Sequence, residues 1–234
     1  MRLLSTDYSN PKVKKSAAGT IYRIASLSMA PDDLLCPHRK LAQCDVDCLF
    51  NSGRGRMDSV KRARRSKTKY WHQNRLGFIE QITRELVHHV KFSKKNHLIP
   101  AARLNVISDI AWELYGIPQL FAPLGLKLYD YTKVASRLLS VPDNYKLIFS
   151  YSGAPDYRRE VDLALETGAP IAVTFRGGLP SEFLGREVID GDKSDLYNLT
   201  AQNKIVGLKL KGGISIQQTN SPFVVDNPEM RAAA

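Results

Sequence analysis

No apolar run in this chain approaches the roughly 18 residues that a membrane-crossing helix needs. The N-terminal MRLLSTDYSNPKVKK lacks the apolar stretch and cleavage site of a secretory signal. A cytoplasmic protein with reduced thiols is therefore expected. Also missing are the Gly-x4-Gly-Lys-Ser/Thr loop and the Gly-x-Gly-x2-Gly turn, which argues against an NTPase and a dinucleotide enzyme. Asp190, Asp192 and Asp195 sit in VIDGDKSD without the further oxygen ligands and closing Glu of a calcium loop, so a plain turn is expected there. There is no internal repeat. Cysteine is scarce: three in 234 residues, an odd number that would leave one thiol over from any disulfide framework.

What the chain does have is all three cysteines within thirteen positions, as Cys36, Cys44 and Cys48 in LLCPHRKLAQCDVDCLF. Thiolates this close in sequence can converge on one metal centre. Zinc favours four N/S ligands in a structural site, with His38 or a distant residue as the fourth, but the Cys-x2-Cys knuckle is absent. A [4Fe–4S] cluster on three thiolates leaves one iron open to a ligand. Three unrelated cysteines are the plain alternative.

Charge is the second local feature. Between Arg54 and Arg103 stand fourteen Lys and Arg against Asp58, Glu80 and Glu85, which accounts for the whole formal charge of +11. Such a patch suits an anionic partner, because cations that meet phosphates release counterions. Arg54, Arg56, Lys61, Arg62, Arg64, Arg65, Lys67 and Lys69 are the candidate contacts to nucleic acid or a nucleotide. A solvated helical face is the competing reading. Tyr70 and Trp71 lie among these cations and could stack on bases or anchor the helix.

Short apolar runs alternate with helical patterns along the chain. Strands are expected at Ile21–Met29, Ala101–Val106, Leu126–Tyr131, Tyr145–Tyr151, Ile171–Phe175 and Lys204–Leu210, with extra strand material at Glu187–Ile189. Leu76, Phe78, Ile79, Ile82, Leu86, Val87 and Val90 form a helical stripe, and Pro155–Thr167 reads as an amphipathic helix stopped by Gly168. The expectation is an α/β fold: a parallel sheet of about six βα units, as a partial (β/α)6 TIM-like barrel or an open doubly wound sheet. Residues 1–19 form an arm, 20–213 one α/β domain with a cysteine loop at 30–53 and a basic helical segment at 54–97, and 214–234 a tail. Ligands of such folds gather at the carboxyl ends of the strands. Polar residues do cluster there: the cysteines after the first strand, Asn105, Ser108 and Asp109 after the second, and Asp130, Tyr131 and Lys133 after the third. Ser150 and Ser152 follow the fourth, Arg176, Gly177 and Gly178 the fifth, and Lys211, Gly212 and Gly213 the last. Asp130, Tyr131 and Lys133 are types that serve proton transfer, against a reading as helix cap and solvated charges. The two cation-Gly-Gly turns could bring backbone N–H groups to an anion.

Taken together, DLLCPHRKLAQCDVDCLF, RLNVISDIAWE, LKLYDYTKVASRL, YKLIFSYSG and VIDGD followed by KIVGLKLKG resemble the phage "gene product 88" family over roughly Ser28 to Gly212. That resemblance implies a phage or prophage origin, and with it the host cell's cytoplasm as the place of action. More coarsely, the layout is similar to radical S-adenosylmethionine enzymes, which place three cluster cysteines after the first strand of a partial barrel. This similarity implies a [4Fe–4S] cluster on Cys36, Cys44 and Cys48. It also implies S-adenosylmethionine and substrate lined by Asn105, Asp109, Asp130, Ser150, Arg176, Gly177 and Gly178. The spacing departs from Cys-x3-Cys-x2-Cys, and no Gly-Gly-Glu follows the second strand. Two functions result: an iron–sulfur enzyme acting on a nucleotide, nucleic acid or small metabolite, or a non-enzymatic phage protein that binds nucleic acid or a host partner through the basic segment, with structural zinc or free thiols.

Overall fold

The structure is a computed structural model that describes residues 1–6, 17–45, 48–51, 53–210 and 219–229, apart from the side chains of Leu49 and Arg54. Its centre is a parallel run of strands taken in chain order: β2 (Tyr22–Leu27), β3 (Ile99–Arg103), β4 (Lys127–Thr132), β5 (Tyr145–Ser150) and β6 (Ile171–Arg176). Each is short and buried along most of its length, as strands covered on both faces are. Every crossover in this run moves the same way across the sheet. The right-handed rule therefore puts all its helices on one face.

Those helices are α1 (Asp58–Gln73), α2 (Arg75–Lys95), α3 (Ile117–Phe121) and α4 (Arg158–Glu166). On α2 the spacing of Phe78, Ile82, Leu86 and Val90 by four makes one buried stripe, packed with Ala25, Leu27, Ala102 and Leu104. Each such side chain contributes about 2 kcal/mol of burial. The break between α1 and α2 is built by Asn74, whose side chain accepts the Gly77 N–H at 2.9 Å. A Cβ on Gly77 would stand 2.7 Å from the Asn74 amide, so the cap requires glycine there. Trp71 and Phe78 close the corner edge-to-face, 5.3 Å apart, with Trp112 and Tyr115 against the same indole. Trp71 is thus a buried anchor for the helix pair, not a base-stacking surface.

The sheet then reverses. β8 (Arg186–Asp190) lies outside β9 (Ile205–Lys209), which pairs with β6, so the β8-to-β9 crossover runs backwards. The same handedness rule sends its connection, with α5 (Tyr197–Thr200), to the other face. Leu196 and Leu199 there meet Ile24, Ala101 and Tyr129.

Three short strands complete a ten-stranded sheet among the described residues. β1 (Leu4–Thr6) is antiparallel to β2, and β7 (Glu182–Phe183) is antiparallel to β8. β10 (Val224–Asp226) continues along the β6 edge beyond the point where β5 ends. The fold is therefore mixed α/β with a mostly parallel sheet, as expected, but not a purely parallel one. It does not close: β1 and β7 are its ends. The segments expected as an arm and a tail each add a strand. β1 is held by side chains that sequence patterns do not reveal, since Glu85 accepts the Leu3 and Leu4 N–H groups and Lys67 donates to the Leu3 carbonyl. No helix among the described residues is long and apolar enough to cross a membrane.

Candidate functional site

The cysteine loop leaves the carboxyl end of β2 and folds back over the ends of β3 and β4. Asp32 starts its first turn: the carboxylate accepts the Leu34 and Leu35 N–H groups, and the carbonyl accepts that of Cys36. The other Asp32 oxygen meets His72 Nε2 at 2.7 Å, tying the turn to α1. Cys36 is buried, its thiol donating to the Ile107 carbonyl at 3.2 Å, while Cys44 and Cys48 are partly exposed. His38, the candidate fourth zinc ligand, instead has Nδ1 3.0 Å from the Lys133 carbonyl, which also accepts from Tyr157 at 2.8 Å. These two bonds fix the β4 exit.

Lys133 is the residue that all three cysteines share. Burial works against its charge, but Cys44, Asp109, Cys36 and Cys48 outweigh it, so the ammonium is held above its ordinary range. Burial pushes the Cys36 thiol up to about 12 and raises that of Cys44, with the Lys133 cation opposing both. Burial thus disfavours ionisation of Cys36 and Cys44, and the Lys133 cation beside them favours it. Phe223 covers the ammonium at 5.4 Å from its ring centre, and Ser221 donates to the Gln43 carbonyl at 3.1 Å. The segment around β10 therefore lies against the cysteine loop.

Among the described residues no three His, Cys, Asp or Glu side chains form a ready-made metal site. The chemistry of the donor set nonetheless suits a thiolate cluster. Cys36, Cys44 and Cys48 interact electrostatically with one another and with the half-buried Lys133 ammonium, and thiolates beside a cation are the donors such a centre uses. A cofactor pocket lined by Asn105, Asp109 and Asp130 fits less well, because these residues are engaged with each other and with the backbone. Asn105 Oδ1 accepts from Ser108, from Ile110 N–H and, at 3.3 Å, from Trp112. Asp130 accepts the Asn105 N–H at 2.6 Å and the Tyr145 hydroxyl at 2.8 Å. Asp109 accepts the Lys133 N–H at 2.7 Å and pairs with Arg137, which also grips Glu113 with two nitrogens. The network locks the β3 and β4 exits together. It turns Asn105, Asp109 and Asp130 toward protein partners rather than toward a cofactor.

The expected Asp130–Tyr131–Lys133 group is split three ways: Asp130 and Tyr131 face opposite sides of β4, and Lys133 lies beyond the strand's last residue, Thr132. Asp130 enters the network and Lys133 the thiol site. Tyr131 faces α5, its ring 4.5 Å from the Arg103 guanidinium and its hydroxyl accepting from Asn198 Nδ2 at 3.0 Å. Burial pushes that phenol up to about 12. Ser150 is buried, its carbonyl taking a bond from Tyr157, and Ser152 caps a turn through Ala154 N–H. Arg176 pairs with Asp226 and donates to the Thr219 carbonyl, holding the returning chain rather than an anion. Gly177 and Gly178 take φ of 79° and 105°, a left-handed turn toward Asn227. Lys211, Gly212 and Gly213 lie outside the described residues, as does the side chain of Arg54. In the basic segment Lys67 points inward to Leu3, so it leaves the candidate contact set, while Arg56, Arg62, Arg65 and Lys69 are exposed. Asp190, Asp192 and Asp195 form a turn whose carboxylates bond backbone, Lys209 and Arg103.

Sequence reasoning missed Arg137, Glu113, Tyr145, Tyr157 and Phe223. The first four lie on helical turns or within a strand, where their types carry no site signal. Phe223 becomes visible only once β10 is seen to return. No curated protein and no solved structure matches the chain. The model of one family, Gene product 88, matches residues 2–227. Spanning all ten strands of the sheet and the cysteine loop, that match establishes that the chain belongs to the Gene product 88 family.

Proposed function

We propose that this is a phage-type iron–sulfur protein, with Cys36, Cys44 and Cys48 holding a cluster at the carboxyl end of the parallel sheet. The observation that carries the reading is Lys133: a lysine at the β4 exit, roofed by Phe223, sharing its surroundings with all three thiols. A cation so placed favours an anionic thiolate centre over three neutral thiols, and the run β2 to β6 serves as a partial (β/α)6 scaffold beneath it. A bound cluster supplies one-electron transfer, and with three thiolate ligands it leaves one iron open to a further ligand. The protein's own residues do the rest. Asp109 and Tyr157 orient the Lys133 backbone, Arg137 fixes Asp109, and Phe223 limits water at the ammonium.

Anaerobic purification tests this directly. Iron and acid-labile sulfide should approach about four each per chain, with broad absorbance in the visible. Replacing any one cysteine with Ser should sharply reduce both. Lys133→Met should leave a cluster that is lost faster in air. A colourless protein with one zinc per chain, or with no metal after iron and sulfide reconstitution, would remove the reading.

A further inference from the structure

The basic helix and the thiol site are parts of one surface. Ala30, at the start of the cysteine loop, bonds α1 twice: its N–H donates to the Arg64 carbonyl at 3.3 Å, and its carbonyl accepts from Thr68 at 2.8 Å. The Arg64 guanidinium is close enough to Cys48 for their charges to interact. Phe50, two residues beyond Cys48, is half-buried between two α1 cations, with Lys61 Nζ 5.6 Å and Arg65 Cζ 5.9 Å from its ring centre. Lys61, Arg65 and Lys69 follow at intervals of four, so they form one row about 12 Å long leading away from Phe50.

These cations are also unneutralised. Among the described residues, Arg56, Lys61, Arg62, Arg64, Arg65 and Lys69 form no ion pair, as is also true of Lys91, Lys94 and Lys95 on α2, but of these only the α1 cations flank an aromatic ring beside the cysteine loop. A row of free cations costs self-repulsion in the isolated protein, and an anionic chain laid along it relieves that cost. An aromatic ring at the end of the row adds what a bare phosphate or a duplex cannot use, a face on which an unpaired base can stack.

We infer that α1 and Phe50 bind single-stranded nucleic acid and lead it to the cysteine site, which makes that strand the substrate class of the site. That the strand is a substrate rests on the iron–sulfur reading; that it binds along α1 does not. The test uses the full chain, a fluorescein-labelled mixed-sequence DNA 20-mer as single strand and as duplex, and anisotropy across a salt series. The single strand should bind more tightly than the duplex, with affinity falling steeply as salt rises. Replacing Lys61, Arg65 and Lys69 together with Gln should reduce the log–log salt slope by about 2, because each phosphate contact to a single strand contributes roughly 0.7. Phe50→Ala should weaken single-strand binding roughly tenfold and leave duplex binding unchanged.

Replacing Lys91, Lys94 and Lys95 with Gln removes the same charge far from Phe50 and should alter little. Equal effects from the two triple variants would reduce the binding to net charge and overturn the inference, as would tighter duplex binding. Bound single strand should also slow iodoacetamide labelling of Cys48, and unchanged labelling would break the link to the thiol site. Iron content is measured separately. A metal-free protein that still binds and still protects Cys48 would sink the iron–sulfur reading alone.

Discussion

His89 and Asp130 are buried in the same core and titrate in opposite directions. His89 reaches the Ala101 carbonyl from α2 at 3.0 Å, and burial pushes its imidazole down from 6.5 to about 4. The unfolded chain takes up this proton near 6.5 and the folded chain only near 4. The histidine's contribution is therefore complete above 6.5 and shrinks by about 3 kcal/mol as the pH falls through that window. Asp130 behaves in reverse, since burial pushes its carboxyl up from 3.8 to about 7 despite the bonds from Asn105 and Tyr145. The folded chain keeps a proton that the unfolded chain releases near 3.8, so stability declines as pH rises from there towards 7. Between about 4 and 6.5 the two slopes oppose each other, and the urea midpoint of the natural protein should vary little. Asp130→Asn should uncover the histidine, giving a midpoint that climbs with pH over that range. His89→Gln should uncover the aspartate, giving one that falls. Parallel curves for the two variants would show that these residues do not set the balance.

At the scale of elements, the return of the chain around β10 is the feature that completes the site. It rests on the Arg176–Asp226 pair, the Gly153 N–H to Pro222 carbonyl bond and Phe223 over Lys133. The ion pair is about a third exposed and is worth at most about 1 kcal/mol. Arg176→Ala should therefore raise the open fraction, and with it iodoacetamide labelling of Cys44, by no more than about fivefold. A rate that stays at the natural value would show that β10 does not guard the thiols. β10 also marks where the sequence stops being readable. β4, β5, β6, α2 and α4 were legible because each is long enough to show its period, and Gly168 stops α4 with a φ of 69°. β1, β7 and β10 are two or three residues long and exist only because a neighbour offers an edge. No local pattern distinguishes such strands from loop. The cysteine loop was legible as a cluster of ligand types at a strand end. Its partner Lys133 was legible too, but in the wrong company, because sequence adjacency grouped it with Asp130 and Tyr131, which face opposite sides of β4, when Lys133 lies past the strand's end.

For the whole molecule, the reversal at β9 decides how the sheet is filled. The run from β2 to β6 has its helices on one face, and the other face would stand open without the backward crossover that carries α5 across it. That covering segment is fastened by a buried pair, Arg103 on β3 with Asp195 at 3.2 Å, and by Asn198 on the Tyr131 hydroxyl. Arg103 and Asp195 come from opposite halves of the chain and are both under a tenth exposed. Removing only Asp195 therefore leaves a guanidinium buried against Tyr131, at a cost of roughly 3–5 kcal/mol. Removing both charges in favour of apolar groups of similar volume costs far less, because no uncompensated ion remains. Asp195→Ala should thus lower stability by that amount in urea unfolding, and Arg103→Met with Asp195→Leu should recover most of it. Because the pair joins the two halves of the sheet, the loss in Asp195→Ala should shift one transition followed alike by tryptophan fluorescence and far-ultraviolet circular dichroism. Trp71 and Trp112 lie on the helix-covered face, so a fluorescence transition that stayed in place while the dichroism moved would mean that the two faces unfold independently.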